Sequence, residues 1–391
     1  MRPLEGRRIW FVGIGGAGLS AYAQLARAWG AEVGGWDRVE TPYLRPLAGV
    51  RVEIADEPVV PEGWEVVVST AFRDRAAGKT RADFLAELVS LRDSIVVAGT
   101  HGKTTTSAMI AFCLDRLGLD PAFLIGGEIQ QLGGNARAGE GWLVVEGDES
   151  DRTVAALRPK IAVVTNVELD HHAEFASQDE VERLFDDWLA EVPHVVRDAP
   201  AVDFELAVPG EHNRLNAGAA LAALELAGVA REDAAVAIRE FRGAGRRFDR
   251  RGEAGGVAVV DDYAHHPTEI AVNLAAAREI HDGRILVLFQ PHLYSRTRYL
   301  ARELAAALVT ADVVAVTDVY PAREEPVPGV TGKLVVDALT ELRPGMPIGW
   351  TPSVDDGARF VARRARPGDL VLTVGAGDVE RAAELVLAAL A

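Results

Sequence analysis

The stretch Ser94–Ile110, SIVVAGTHGKTTTSAMI, constrains the fold of this chain more than any other. Ser94 to Val97 have the length and apolar character of a buried parallel strand, and a helical pattern begins at Thr104. Between them, Gly99 and Gly102 give the backbone room to turn. A strand that hands over to a helix in this way aims the first helical amides at one point. Lys103 adds a cation there and the Thr104 hydroxyl an oxygen, so a triphosphate with Mg²⁺ suits the arrangement. The spacing is not the common one, which places a glycine five residues before the glycine of Gly-Lys-Thr. Val97 occupies that position. The loop Gly99-Thr100-His101-Gly102 is therefore a short phosphate loop or an ordinary strand-to-helix turn, and the segment alone leaves both open.

The rest of the chain repeats the alternation. Apolar strands are expected at RIWFVGIG, AEVGGWD and EVVVST, then at SIVVAGT, PAFLIGG, WLVVEGDE and IAVVTNV, and finally at VAVVDDYA, RILVLFQPH, DVVAVTDVY and DLVLTVGAG. Helical patterns run between or after them over 17–29, 104–117, 178–191, 213–227, 297–308 and 378–390. This order predicts an α/β protein with mostly parallel sheets. A length of 391 residues is too great for one core. Boundaries are expected near residue 93 and near 244, in the polar stretch FRGAGRRFDRRGEAGG, which divides the chain into 1–93, 94–244 and 245–391.

Composition narrows the function. A formal charge of −17 argues against nucleic acid as the partner. The single cysteine, Cys113, lies in an apolar helical pattern, so disulfides do not hold the fold and a cytoplasmic location is expected. No apolar run reaches membrane-spanning length. The N-terminal MRPLEGRRIWFVGIGGAGLS imitates a twin-arginine signal, but it makes a coherent strand, turn and helix and is read as such.

Further motifs sit at predicted strand ends, where open α/β sheets place ligands. Gly13, Gly15, Gly16 and Gly18 form a G-x-G-x-x-G turn, and Asp37 closes the next strand where a ribose-binding acid would lie. A dinucleotide, a nucleotide sugar or an empty tight turn satisfies that geometry. Glu146 ends the strand of VVEGDESD and can share a Mg²⁺ with the Thr104 hydroxyl; some of Asp148, Glu149 and Asp151 are expected to be a solvated turn. His171 and His172 follow the next strand, and one of them can face the same metal. Asn213 and Asn216 are three apart, on one face of a helix start. They can read a purine edge or cap the helix, and the pattern favours capping. Asp261, Asp262, His265 and His266 lie at a strand end before a helix opened by Pro267 and Thr268. Arg296 and Arg298 follow another strand end, with guanidinium forks suited to carboxylate or phosphate.

In their order, AGTHGKTTT, EGDESD, NVELDHH, GEHNRLN, GRRFD, DDYAHHPTE, FQPHLYSRTR and GAGD resemble the motifs of the Mur ligases, over nearly the whole chain. The opening GIGGAG is similar to that of the family's alanine-adding branch. The resemblance implies three α/β domains: a Rossmann-like UDP-binding domain, a central ATPase domain and a Rossmann-like carboxy-terminal domain for the amino acid. It implies that ATP activates the lactyl carboxylate of UDP-N-acetylmuramic acid as an acyl phosphate, which the amine of L-alanine attacks. Lys103 would grip the β- and γ-phosphates within a loop of Gly99, Thr100, His101, Gly102, Thr104 and Thr105. Thr104 and Glu146 would bind one Mg²⁺, and Glu146 and His171 a second. Asn213 and Asn216 would contact adenine, against the capping preference. Arg247 and Asp262 would reach the nucleotide, with His265 and His266 beside them. Arg296 and Arg298 would hold carboxylate or substrate phosphate. Gly13, Gly15, Gly16, Gly18, Asp37 and Ser69 would serve the UDP part. Closure of the domains is expected, since these groups serve one carboxylate.

Two departures stand out. Between His171 and Asn213 the chain is several dozen residues shorter than the family pattern, and STAFRDRAAGKTRADFLAEL lacks an evident strand. Competing readings are a ligase that joins a longer murein peptide to the same nucleotide sugar, an NAD-dependent oxidoreductase built on G-x-G-x-x-G, and a non-catalytic nucleotide-binding relative. A monomer and a homodimer are both compatible with the sequence.

Overall fold

The computed structural model describes residues 2–170, 174–322 and 324–391. Among them are three sheets. The first contains β1 (Arg8–Val12), β2 (Glu32–Asp37), β3 (Arg51–Ile54), β4 (Glu65–Val68) and β5 (Lys79–Thr80), all parallel, in the order β3-β2-β1-β4-β5. The chain winds outward from β1 in one direction, then returns to β4 and winds the other way. That reversal opens a crevice beyond the ends of β1 and β4. The short β5 lies in the segment that reads as strandless, where two residues pair with Val67 and Val68. Two residues are too few for a period-two pattern to register.

The second sheet contains β6 (Ser94–Ala98), β7 (Ala122–Ile129), β8 (Gly134–Arg137), β9 (Leu143–Glu146), β10 (Ile161–Val164) and β11 (His194–Arg197), in the order β11-β10-β6-β9-β7-β8. Only β8 runs antiparallel. Every residue of β6 is buried, as the middle strand of a sheet covered on both faces requires. The third sheet contains β12 (Asp249–Ala254), β13 (Val257–Asp262), β14 (Ile285–Phe289), β15 (Val313–Val316), β16 (Ile348–Trp350) and β17 (Leu370–Val374), in the order β12-β13-β17-β14-β15-β16 with β12 antiparallel. Along β14, Ile285, Val287 and Phe289 enter one apolar core while Leu286 and Leu288 enter another. Strand periodicity of two thus builds both layers.

The helices that position the sites begin with α1 (Ala17–Ala28), α2 (Arg81–Ser90), α3 (Lys103–Arg116) and α4 (Gln178–Leu189). They continue with α5 (Glu211–Leu226), α6 (Arg231–Ile238), α7 (Pro267–Ile280) and α8 (Tyr294–Leu308). Helix α4 buries Val181, Phe185 and Trp188, an i, i+4, i+7 stripe. Helix α7 starts with Pro267 inside a capping box made by His266 and Glu269. No helix among the described residues is long and apolar enough to cross a membrane.

The chain forms two compact units. One holds the chain through Val167 with Asp179–Pro200 and Asn216–Glu240, and so contains the first two sheets. The other holds Glu168–Gln178, Ala201–Leu215 and Phe241–Ala391, and so contains the third.

Candidate active site

In the first unit, β6 ends at Ala98 and the chain turns through Gly99 at φ +128° and Gly102 at φ +81°. A Cβ on Gly99 would strike Thr165 Oγ1 and the Asn166 backbone, and one on Gly102 would strike Asn216 Oδ1. The loop is therefore pressed between the exit of β10 and helix α5. Asn166 fastens it: its carbonyl accepts from the Thr100 amide at 3.0 Å and its Oδ1 from the His101 amide at 2.8 Å, while its Nδ2 donates to the His101 carbonyl at 3.0 Å. Helix α3 starts at Lys103, with Gly102 at the N-cap and no side chain capping it. Its first amides are thus directed outward, as an anion site needs.

Three acids stand around this loop. Glu146 accepts from the Thr104 hydroxyl at 2.9 Å and, with its other oxygen, from the Gly126 amide at 2.7 Å. A hydroxyl beside a carboxylate is a hard-oxygen donor pair of the kind Mg²⁺ takes, so these residues fit the ion. Glu149 is buried and so is not one of the solvated acids of its turn, as exposed Asp151 is, and it pairs with Lys103 Nζ at 3.0 Å. Burial pushes the Glu149 carboxyl up to about 7 against the pull of Lys103. Burial disfavours the Lys103 ammonium, yet Glu149, Asp148 and Glu146 outweigh it and hold Lys103 above the usual lysine range. Asp148 is held below the usual carboxylate range: burial opposes this, and Lys103 with the Ser150 hydroxyl and amide prevails.

At the crevice of the first sheet, Gly13 adopts φ +92°, and a Cβ there would strike the Ser69 hydroxyl, which has no hydrogen-bond partner among the described residues. Asp37 is occupied with the turn itself: Oδ2 accepts from the Gly15 amide and Oδ1 from the Arg38 amide, both at 2.7 Å. Thr41 donates to the Gly15 carbonyl at 2.7 Å. Gly16 caps α1 without a side-chain bond. Arg81 stands beside Gly18, 3.5 Å from where a Cβ would be, and donates to the Tyr22 hydroxyl at 3.3 Å. Sequence reasoning passed over Arg81. Its signal is a cation at the first position of a helix, where the macrodipole disfavours positive charge unless something else holds it.

In the second unit, Asp262 accepts from the amides of Ala264 at 2.7 Å and Phe248 at 2.6 Å. Burial still pushes its carboxyl up to about 6, against Arg247 and those amides. Arg247 lies over the Tyr263 ring and 3.9 Å from Glu269. His265 bonds through Nδ1 to the Tyr263 carbonyl at 3.0 Å, and burial lowers it to about 4, so it is neutral at pH 7. His266 Nδ1 accepts from the Thr268 amide as the cap of α7. Arg296 is buried and holds Asp170 with a fork, Nη2 to both carboxylate oxygens at 2.9 Å and Nε at 3.0 Å. Its Nη1 lies 3.1 Å from His292 Nδ1, and the His292 ring meets His265 edge-on. Arg298 is exposed beside Tyr299.

The sequence-predicted residues thus fall into three groups. Gly99 to Thr105, Glu146 and Asn216 gather at the second sheet, and Gly13 to Gly18, Asp37 and Ser69 at the first. Arg247, Asp262, His265 and His266 gather at the third, with Arg296 near His265 through His292 and Arg298 apart. Asn213, in the second unit, donates through Nδ2 to the Pro209 carbonyl at 2.6 Å. His171 and His172 lie outside the described residues. The anchors Thr165 and Asn166 were missed, and their only signal is that polar residues follow a buried parallel strand.

Comparison with known proteins gives this arrangement its context. The Mur ligase middle domain matches residues 97–193, and the Mur ligase, glutamate ligase domain matches residues 246–377. The UDP-N-acetylmuramate–L-alanine ligase of Streptomyces coelicolor is 41% identical, with 96% of each chain covered. That alignment spans 446 positions against the 391 residues of this chain, so it contains gaps on the side of this protein. The crystal structure of the UDP-N-acetylmuramate-alanine ligase from Thermotoga maritima superposes with a TM-score of 0.80 at 28% identity, covering 97% of this chain and 98% of that one. A murein peptide ligase from Psychrobacter arcticus superposes with a TM-score of 0.66 at 25% identity, covering 98% and 99%. A short phosphate loop, its acidic turn and a third α/β sheet are here joined to full-length similarity above 40% identity: the chain belongs to the Mur ligase family.

Proposed function

We propose that this protein is an ATP-dependent ligase that joins L-alanine to UDP-N-acetylmuramic acid, a step of peptidoglycan precursor synthesis. The observation that carries the reading is similarity to alanine-adding ligases over 96% of both chains, gaps included. The division into a UDP-sugar domain at 1–93, an ATPase domain at 94–244 and an amino-acid domain at 245–391 is part of it.

In this reading the lactyl carboxylate takes the γ-phosphoryl group of ATP, and the amine of L-alanine then displaces phosphate to leave an amide. ATP supplies the phosphoryl group and Mg²⁺ supplies positive charge across its phosphates. Thr104 and Glu146 would hold one Mg²⁺, and Glu146 with His171 a second. Gly99, Thr100, His101, Gly102 and Thr105 would form the loop around the phosphates, with the Thr100 and His101 amides already bonded to Asn166, and Lys103 would neutralise charge that develops during transfer. Asn213 and Asn216 are assigned to adenine, and Arg247 and Asp262 to the nucleotide. Neutral His265, with His266, Arg296 and Arg298, is assigned to the substrate side. Gly13, Gly15, Gly16 and Gly18 are assigned to the close approach of the UDP diphosphate to the turn and Ser69 to a hydroxyl contact with it, while Asp37 holds the Gly15 amide from behind. The assignments agree with the chemistry of each group; the engagement of Arg296 with Asp170 limits it to an indirect part.

Phosphate release from ATP and Mg²⁺ tests the reading, with UDP-N-acetylmuramic acid and L-alanine, glycine, L-serine or a murein tripeptide as acceptor. Release that requires both the nucleotide sugar and L-alanine is expected. Dependence on the tripeptide would transfer the function to the peptide-adding branch, and no release with any acceptor would leave a nucleotide-binding relative.

A further inference from the structure

Glu149 is 3% exposed, three residues beyond the end of β9, and meets Lys103 Nζ with Oε1 at 3.1 Å and Oε2 at 3.0 Å. The same ammonium donates to the Gly99 carbonyl at 2.7 Å and the Thr100 carbonyl at 3.1 Å. An ammonium has three N–H donors, and these acceptors use all of them. Lys103 is therefore folded back on its own loop. It cannot keep this arrangement and grip phosphates as well.

We propose that Glu149 is a positioning residue for Lys103, competing with the phosphates of ATP for the ammonium and taking up a proton from solvent when they win it. The inference rests on the assignment of this loop to ATP. Glu146 does not compete in the same way, because its oxygens are taken by Thr104 and Gly126. Once Lys103 leaves, the charged groups that act on Glu149 offer no relief. Asp148 on its own turn repels it, and Arg81 donates to the Tyr22 hydroxyl and acts on Asp148, not on Glu149. A buried carboxylate without a cation is neutralised by protonation. Glu149 already stands near 7 with Lys103 beside it, so removal of the lysine drives the proton on.

Calorimetric titration of the full chain with ATP and Mg²⁺, in buffers of different ionisation enthalpy near pH 7.5, reads affinity and proton uptake together. Wild type should take up a proton fraction that Glu149→Gln does not, and Glu149→Gln should bind ATP about tenfold more tightly, since one charge-assisted bond no longer has to be broken. Glu149→Asp keeps the charge on a shorter arm and should fall between them, which preserves the test if the glutamine variant folds poorly. Weaker or unchanged ATP binding in well-folded Glu149→Gln, or equal proton uptake in wild type and variant, overturns the proposal alone. Absence of ATP binding in every form overturns the loop assignment and the proposal with it.

Discussion

The turns after β1 and β6 are built from the same device, a buried parallel strand, glycines and an uncapped helix, yet they handle charge in opposite ways. After β1 the turn is tied to Asp37 and Thr41, and the neutral Ser69 hydroxyl beside Gly13 has no hydrogen-bond partner among the described residues. After β6 the turn is crowded with one ammonium and three carboxylates, Lys103, Glu146, Asp148 and Glu149, that perturb one another. The first is a fixed turn, its Gly13, Gly15 and Gly16 amides already bonded to Trp36, Asp37 and Gly13, which suits a ligand that is held and not broken. The second stores charges that must change partners when a phosphate arrives, as phosphoryl transfer requires. One device thus serves both holding and reacting, and the side chains set which.

The largest break in this comparison should come from Lys103→Ala. Loss of the cation that meets the developing charge should lower the rate of phosphate release by about a thousandfold or more. Binding of the nucleotide sugar at the β1 turn, followed by calorimetry, should be unchanged. Next comes Arg296→Ala, which leaves Asp170 buried without its fork and should cost the second unit about 3–5 kcal/mol in denaturant unfolding. Exposed Arg298→Ala should stay within about 0.5 kcal/mol.

Alanine at the glycines sharpens the contrast between the turns. Gly99→Ala demands a left-handed backbone and strikes Thr165 and Asn166, at a cost of about 1–3 kcal/mol in strain alone. It should weaken ATP binding severely. Gly16 has no positive φ, and its nearest neighbour is 3.4 Å from a built Cβ, so Gly16→Ala should leave the fold intact, as thermal melting would register.

The last contrast is electrostatic and shows only as a dependence on pH. Asp262 is raised to about 6 by burial, so the folded state binds its proton more tightly than the unfolded chain does. Its contribution to stability is complete below about pH 4 and is lost as pH rises through about 6. His265, lowered to about 4 by burial, acts in the opposite sense: its contribution is present above about pH 6.5 and lost as pH falls through about 4. The two offset each other in wild type. Asp262→Asn should therefore expose a rise in stability from about pH 4 to 6, seen in melting temperature.

Much of this was legible in the sequence because parallel strands are apolar runs and polar residues cluster where those strands end. Strands β1, β2, β4, β6, β9, β10, β13, β14, β15 and β17 announce themselves in that way. Edge strands do not: β3 reads Arg-Val-Glu-Ile and β12 reads Asp-Arg-Arg-Gly-Glu-Ala, charged as exposed edges tend to be. Helix α2 was hidden because the segment before it carries no strand pattern long enough to count. The glycine turns, Lys103 and Glu146 were visible as motifs. The burial of Glu149, the occupation of Asp37 by its own turn and the Arg296–Asp170 fork were not, because each depends on a neighbour distant in sequence.

Activation of the sugar carboxylate by phosphoryl transfer at the β6 loop is the central step of the proposed function. The direct measurement uses UDP-N-acetylmuramic acid with ¹⁸O in its lactyl carboxylate, ATP, Mg²⁺ and L-alanine, with mass spectrometry of the released phosphate. One ¹⁸O is expected in the phosphate and one retained in the amide product. Phosphate free of ¹⁸O, released while the amide forms, would contradict that step.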